Sequence, residues 1–189
     1  MRVWRAVLLG TVYWHLLAPA AAGDALEDHP PTGGFIYDMK IGALQHDPSI
    51  TANRKEPFTT DLNLEVMFGP SLPILFGTVR PALGATVNFA GFTSKAYLDA
   101  RWQVECCWGA FFALGIGAAV HNGELDSLAT AQDHKQLGYR VLFHPTAEWG
   151  YRLTEHHSVS IFFEHISNAN TSRQNEGLDN LGIRYGYRF

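Results

Sequence analysis

The chain has 189 residues, 47% of them hydrophobic, with 14 Lys and Arg against 18 Asp and Glu for a formal charge of −4. That length suits one domain, and an acidic chain with no basic run is not built to hold nucleic acid. The two cysteines, adjacent at Cys106 and Cys107, supply neither a disulfide framework nor metal-ligand spacing. A strained bridge between neighbours and a pair of free thiols at a strand end are both compatible with them.

Residues 1–22 read as a secretory signal peptide. Met1 to Arg5 is a short basic start, Ala6 to Leu17 a mostly apolar run, and Ala20, Ala21 and Ala22 a small-residue cleavage site. A membrane anchor needs about 20 clean apolar residues, and His15 and Pro19 interrupt this stretch. The mature chain is therefore expected to be exported. Residues 23–34, polar and proline-containing, read as a flexible N-terminal segment, and 35–189 as a single domain.

From 35 onward the recurring signal is a period of two, the mark of strands. After a first strand at 35–46, Leu62, Leu64, Val66 and Phe68 oppose Asp61, Asn63, Glu65 and Met67. Val79, Leu83, Ala85, Val87 and Phe89 oppose Thr78, Arg80, Gly84, Thr86 and Asn88. Ala96, Leu98, Ala100, Trp102 and Val104 alternate with Lys95, Tyr97, Asp99, Arg101 and Gln103. A fifth strand is expected at 108–121, where Trp108, Ala110, Phe112, Leu114, Ile116, Ala118 and Val120 share a face. In the sixth, Leu137, Tyr139, Val141 and Phe143 oppose Gln136, Gly138, Arg140 and His144. The seventh covers 158–167. The eighth sets Leu181, Ile183, Tyr185, Tyr187 and Phe189 against Asn180, Gly182, Arg184, Gly186 and Arg188.

In a soluble barrel the apolar faces would form the core; in an outer-membrane barrel they meet lipid and the interior is polar. Strands of about 10 to 14 residues are long enough to cross a bilayer at a tilt. The polar faces carry glycines and charges of both signs, among them Lys40, Glu65, Asp99, Arg101, Glu148, Glu164 and Arg184. Aromatic residues gather near the strand ends of the apolar faces, as interfacial girdles do, and the chain ends in YGYRF, which resembles the assembly signal of bacterial outer-membrane proteins. The sequence thus predicts an all-β fold: an eight-stranded antiparallel up-and-down transmembrane β-barrel of the bacterial outer membrane, surrounded by outer-membrane lipids. Its lumen should be filled with side chains rather than open. Outer loops are expected at 47–60, 90–93, 122–135 and 168–178, and periplasmic turns near 69–77, 104–108 and 149–157. His46 and His121 have inward parity and read as caps of the interior network rather than as metal ligands. The EHH run at 155–157 reads as a solvated turn.

The apolar face of the seventh strand, Val159, Ile161 and Phe163, ends in His165 and Ser167. Asp179 has the parity of Leu181 and Ile183, so it too is expected to face outward, opposite Ser167 and diagonal to His165. Cross-strand neighbours lie about 5 Å apart and diagonal ones about 7–8 Å, so a Ser nucleophile, a His base and an acid fit there without unusual backbone. Equally, polar strand ends are ordinary at a membrane interface.

A resemblance bears on that choice. EHISNANTSRQNEGLDNLGIRYGYRF is similar to the C-terminal signature of the lipid A 3-O-deacylase (PagL) family, outer-membrane acyl hydrolases of lipopolysaccharide. Their pattern, H-x-S-N-A, then N-x-G, then an acid two positions on, is filled here by His165, Ser167, Asn168, Ala169, Asn175, Gly177 and Asp179. Fainter similarity runs through IGALQHD, RPALGATVNFAGFTSKAYLDA and GAAVHNGE. The resemblance implies that His165 is the general base, Ser167 the nucleophile and Asp179 the orienting acid. Asn168, Ala169 and Asn175 would position substrate and stabilise the oxyanion. It implies hydrolysis of the 3-hydroxyacyl ester at position 3 of lipid A, with no cofactor or metal, and is compatible with a homodimer. Two positions depart from the pattern: Asp179 stands where the family has Glu, and Asn170 where it tends to have Gly. A non-catalytic barrel, structural or ligand-binding, is the main alternative, and another lipid-acting barrel enzyme a further one.

Overall fold

In the computed structural model, which describes residues 34–126 and 132–189, the period-two segments form one antiparallel sheet that closes on itself. The expected signal peptide and most of the flexible segment lie outside the described residues. The strands are β1 (Ile36–His46), β2 (Thr60–Phe68), β3 (Leu72–Ile74), β4 (Gly77–Asn88) and β5 (Lys95–Glu105). They are followed by β6 (Ala110–His121), β7 (Val141–Phe143), β8 (Thr146–Arg152), β9 (His157–Ile166) and β10 (Leu178–Arg188). Pairing runs β1–β2–β4–β5–β6, then β7 and β8, then β9, β10 and back to β1.

Ten strands make eight staves. β7 and β8 pair with β6 in one unbroken register, Phe143 with Ala118 and Thr146 with Gly115. The gap between them is His144-Pro145, where proline has no N–H to give the ladder. β3 is a short arm that pairs back on the start of β4 through Ile74 and Gly77. It lies in what the sequence marked only as the turn at 69–77.

The outer face is apolar and the lumen is polar, as an outer-membrane barrel requires. Met39, Ile41, Leu64, Leu83, Leu98, Ile116, Trp149, Ile161 and Ile183 are exposed. Asp38, Lys40, Glu65, Asp99, Arg101, Glu148, Glu164 and Arg184 are buried. Charges can stay in that interior only because they are paired. Lys40 Nζ lies 2.8 Å from Glu148, Lys95 Nζ 2.9 Å from Glu164, and His144 bridges Asp99 (2.9 Å) and Glu164 (3.2 Å). Arg184 binds Glu148 and Glu65, and Arg101 binds Glu65 and Thr146. Removing one partner from such a cluster strands a desolvated charge and costs about 3–5 kcal/mol.

The staves connect through short turns at the end that holds Phe189, and through longer loops at the other end, the asymmetry expected of periplasmic and outer sides. Three local expectations are corrected. The sixth stave begins at Val141 rather than 136: Leu137 is fully buried in a cluster with Tyr97, Ala119, Leu142, Ile166 and Leu178, not lipid-facing. Gly138 (φ 77°) makes the chain turn there, and a Cβ on it would stand 2.4 Å from Gln174 O. The turn expected at 149–157 narrows, because β8 runs to Arg152 and β9 starts at His157. His156 and His157 are not simply solvated: His156 Nδ1 is 2.8 Å from Arg188 O and His157 bonds the Tyr185 hydroxyl. Cys106 and Cys107 are exposed, unbridged thiols in the β5–β6 turn.

Candidate active site

Strand β9 carries the candidate site. Its alternation sends Glu164 and Ile166 into the lumen and leaves Phe163 and His165 on the outer face. The ladder continues past Ile166, since Ser167 exchanges both backbone hydrogen bonds with Phe143, at 2.9 and 3.2 Å. His165 N–H donates to Pro145 O at 3.0 Å. The backbone under both residues is therefore held by strand pairing, which gives a site more precision than a free loop.

The acid is placed differently from the sequence expectation. Asp179 is the direct partner of His165 in the β9–β10 register, not its diagonal neighbour, and it does not meet lipid. Its side chain is fully buried, while that of His165 is 16% exposed. Burial comes from the loop after β1, which folds over the carboxylate. The N–H groups of Ile50, Thr51 and Ala52 converge on Oδ2 at 2.8, 2.6 and 3.1 Å. Oδ1 lies 2.7 Å from His165 Nδ1 and accepts from the Thr51 hydroxyl at 2.6 Å. A carboxylate only accepts hydrogen bonds, so Nδ1 carries the proton toward it and Nε2 holds the lone pair of the neutral ring.

Gly177 fixes where that lone pair sits. A Cβ at this position would meet His165 Cε1 at 2.4 Å and Nε2 at 3.0 Å, so the imidazole edge packs on bare backbone. The edge borders an open cleft of about 430 Å³, whose lining includes His165, Ser167, Thr51, Lys135, Asn170 and Asn175. The outer wall of β9 below it is apolar, through Phe163 and Ile161. Polar cleft and lipid-facing wall meet at His165 and Ser167.

The asparagines divide. Asn168, expected at the oxyanion, turns inward: its amide donates to Leu137 O at 3.1 Å and to Gln174 O, so it ties loops together. Ala169 (φ 53°) and Asn170 (φ 63°) are both left-handed, a conformation Asn tolerates better than most residues. Asn175 faces the cleft paired with Asn170: its Oδ1 accepts from Asn170 N at 3.2 Å and its Nδ2 donates to Asn170 Oδ1.

One carboxylate, that of Glu56, clamps three of the outer loop segments to one another. Glu56, fully buried, accepts from Thr93 N (3.0 Å), Thr93 Oγ1 (2.7 Å) and Lys135 N (2.9 Å), and stands 2.7 Å from His46 Nε2. Burial by itself would raise its pKa. The hydrogen bonds from His46, Lys135 and Thr93 outweigh that and hold the carboxyl at about 2. Lys135 Nζ in turn donates to Gly177 O at 2.8 Å and to Asn53 O, and lies 3.2 Å from Asp47. Periodicity gives no hint of these roles for Thr51, Glu56 and Lys135, because all three lie in loops.

A closed eight-stave barrel with a charged lumen, an apolar wall and a buried His–Asp pair opening at its lipid-facing rim is an outer-membrane β-barrel with a candidate hydrolytic site. The model of the lipid A 3-O-deacylase (PagL) family matches residues 22–188, and the chain belongs to that family. The lipid A deacylase PagL of Bordetella bronchiseptica (strain ATCC BAA-588 / NCTC 13252 / RB50) is 26% identical over 179 residues, covering 90% of this chain and 91% of its own. The crystal structure of the outer membrane enzyme PagL superposes with a TM-score of 0.58 at 18% identity, covering 79% of this chain and 99% of that one.

Proposed function

We propose that this protein is a serine esterase that hydrolyses the ester-linked 3-hydroxyacyl chain at position 3 of lipid A. The observation that carries the proposal is the 2.7 Å contact between His165 Nδ1 and Asp179 Oδ1, with Ser167 two residues past His165 just beyond the end of β9. Family membership supplies the substrate class, and the location supplies the access. An acyl ester in the outer leaflet is reached from outside the barrel, not through a lumen filled with ion pairs.

In the proposed reaction Ser167 Oγ attacks the ester carbonyl while its proton passes to His165 Nε2, and Asp179 steadies the imidazolium that forms. Charge on the carbonyl oxygen is met by donors at the cleft. The side chain of Asn168 is occupied by loop carbonyls, which leaves the backbone N–H groups after Ser167 and the Asn175 amide as the candidates. Collapse of the intermediate expels the sugar oxygen, which takes the proton from His165. Water, deprotonated by His165, then attacks the acyl-Ser167 ester; the acyl–Oγ bond breaks, His165 returns the proton to Ser167 Oγ, and the 3-hydroxy fatty acid leaves. The polar cleft gives that water a route separate from the lipid-facing wall.

The test is mass spectrometry of lipid A after incubation with the purified protein in detergent, beside Ser167→Ala. The expected result is loss of one 3-hydroxyacyl mass with the native chain and none with the variant. Unchanged lipid A from protein shown to be folded by its unboiled gel mobility would refute the activity.

A further inference from the structure

Beyond Ser167, His165 and Asp179, a fourth side chain, Thr51, touches two of the three. Thr51 lies in the loop between β1 and β2, far from the motif in sequence. Its hydroxyl donates to Asp179 Oδ1 at 2.6 Å and stands 3.0 Å from His165 Nδ1. Because that hydroxyl proton points at the carboxylate, its lone pair is turned to the imidazole. The Nδ1–H is therefore shared between Asp179 Oδ1 and Thr51 Oγ1.

The loop is shaped to deliver this contact. Asp47 (φ 46°) and Ser49 (φ 63°) are both left-handed without being glycine, a conformation that persists only where surrounding contacts enforce it. Here the enforcing partner is Asp179. Asp47 N–H donates to Asp179 O at 3.0 Å, and the next turn aims three successive N–H groups at Asp179 Oδ2. Such a run of converging amides forms an anion-binding concavity, and its anion is the side chain of Asp179. The concavity fixes Oδ2, and Thr51 fixes the orientation of Oδ1 and of the ring at once.

We propose that Thr51 is a positioning residue of the site: its hydroxyl, held by the 47–52 loop, locks the Asp179 rotamer and keeps the His165 proton on Nδ1. Thr51 is not itself the nucleophile, because its proton is already given to a carboxylate and its oxygen lies beside Nδ1, not beside the basic Nε2.

The test compares Thr51→Val, isosteric without the hydroxyl, with Thr51→Ser, which keeps it. Thr51 is exposed and outside the strands, so the barrel is not at stake. The kinetic arm rests on the esterase reading above: Thr51→Val should lower kcat for lipid A deacylation by about ten- to a hundredfold with KM unchanged, the range expected for one hydrogen bond to a charged group, and Thr51→Ser should restore it. The second arm needs no turnover. In detergent micelles of 15N-histidine-labelled protein, His165 should show its proton on Nδ1 in the native chain and in Thr51→Ser, and a mixture of tautomers in Thr51→Val. A Thr51→Val protein with native kcat and an unchanged tautomer would overturn the proposal, as would a Thr51→Ser protein as impaired as Thr51→Val. If the native chain released no acyl chain at all, the esterase reading would fail and the tautomer arm alone would decide the role of Thr51.

Discussion

Asp179 stands directly across the β9–β10 ladder from His165, with 2.7 Å between Oδ1 and Nδ1. From that register the short acid reaches the ring, and the loop amides close around its far oxygen. Asp179→Glu, which restores the family's residue, is therefore expected to impair the enzyme. An extra methylene pushes the carboxylate out of the converging N–H groups or into the imidazole. A loss in kcat of about tenfold or more is expected, and a larger one for Asp179→Asn, which cannot hold the correct tautomer. Steady-state release of fatty acid measures both. A faster Asp179→Glu enzyme would show that the loop does not set the position of the acid.

Gly177→Ala tests the other side of the same ring. Its Cβ would overlap Cε1 at 2.4 Å and crowd Nε2 at 3.0 Å. The imidazole must swing away, and a displacement of about 1 Å at a reacting group costs on the order of a hundredfold in rate. Unboiled gel mobility should stay native, because the change lies outside the strands.

Glu148→Gln should act on stability and leave the chemistry alone. It removes the charge that Lys40 and Arg184 share inside the lumen, costing about 3–5 kcal/mol. The temperature at which the folded gel band disappears should fall, while activity per folded molecule at room temperature is kept.

Glu56 gives the outer loops a pH dependence with a defined sign. Its folded pKa is about 2, below the ordinary value of 4.5. The stabilisation it contributes is fully present above the unfolded value and is lost as pH falls through the folded one. Pepsin cleavage near Thr93 and Lys135 should therefore rise steeply only between about pH 4 and pH 2. In Glu56→Gln it should already be fast above that window.

The strands and their faces were legible because the period of two is a local signal and lipid exposure on one side keeps it clean. The same alternation, through Val159, Ile161 and Phe163, puts His165 and Ser167 on the outer face. Alternation puts Asp179 on the correct edge but opposite the wrong partner, since register depends on loop length and on the bridge of Ser167 to Phe143, neither of which periodicity encodes. The sixth stave was shifted because Leu137 and Tyr139 continue the alternation of Val141 and Phe143 while the chain turns at Gly138. Thr51 was invisible: its role arises only when a loop more than a hundred residues away in sequence folds over β10.

Two hydroxyl residues, Ser167 and Thr51, line the same cleft as His165, and the proposed mechanism makes Ser167 the nucleophile. Labelling the folded protein in detergent with a lipid-like fluorophosphonate, followed by peptide mass mapping, distinguishes them. One phosphonyl adduct on Ser167, abolished in His165→Asn, is the result expected. An adduct on Thr51, or none on a chain that still deacylates lipid A, would contradict it.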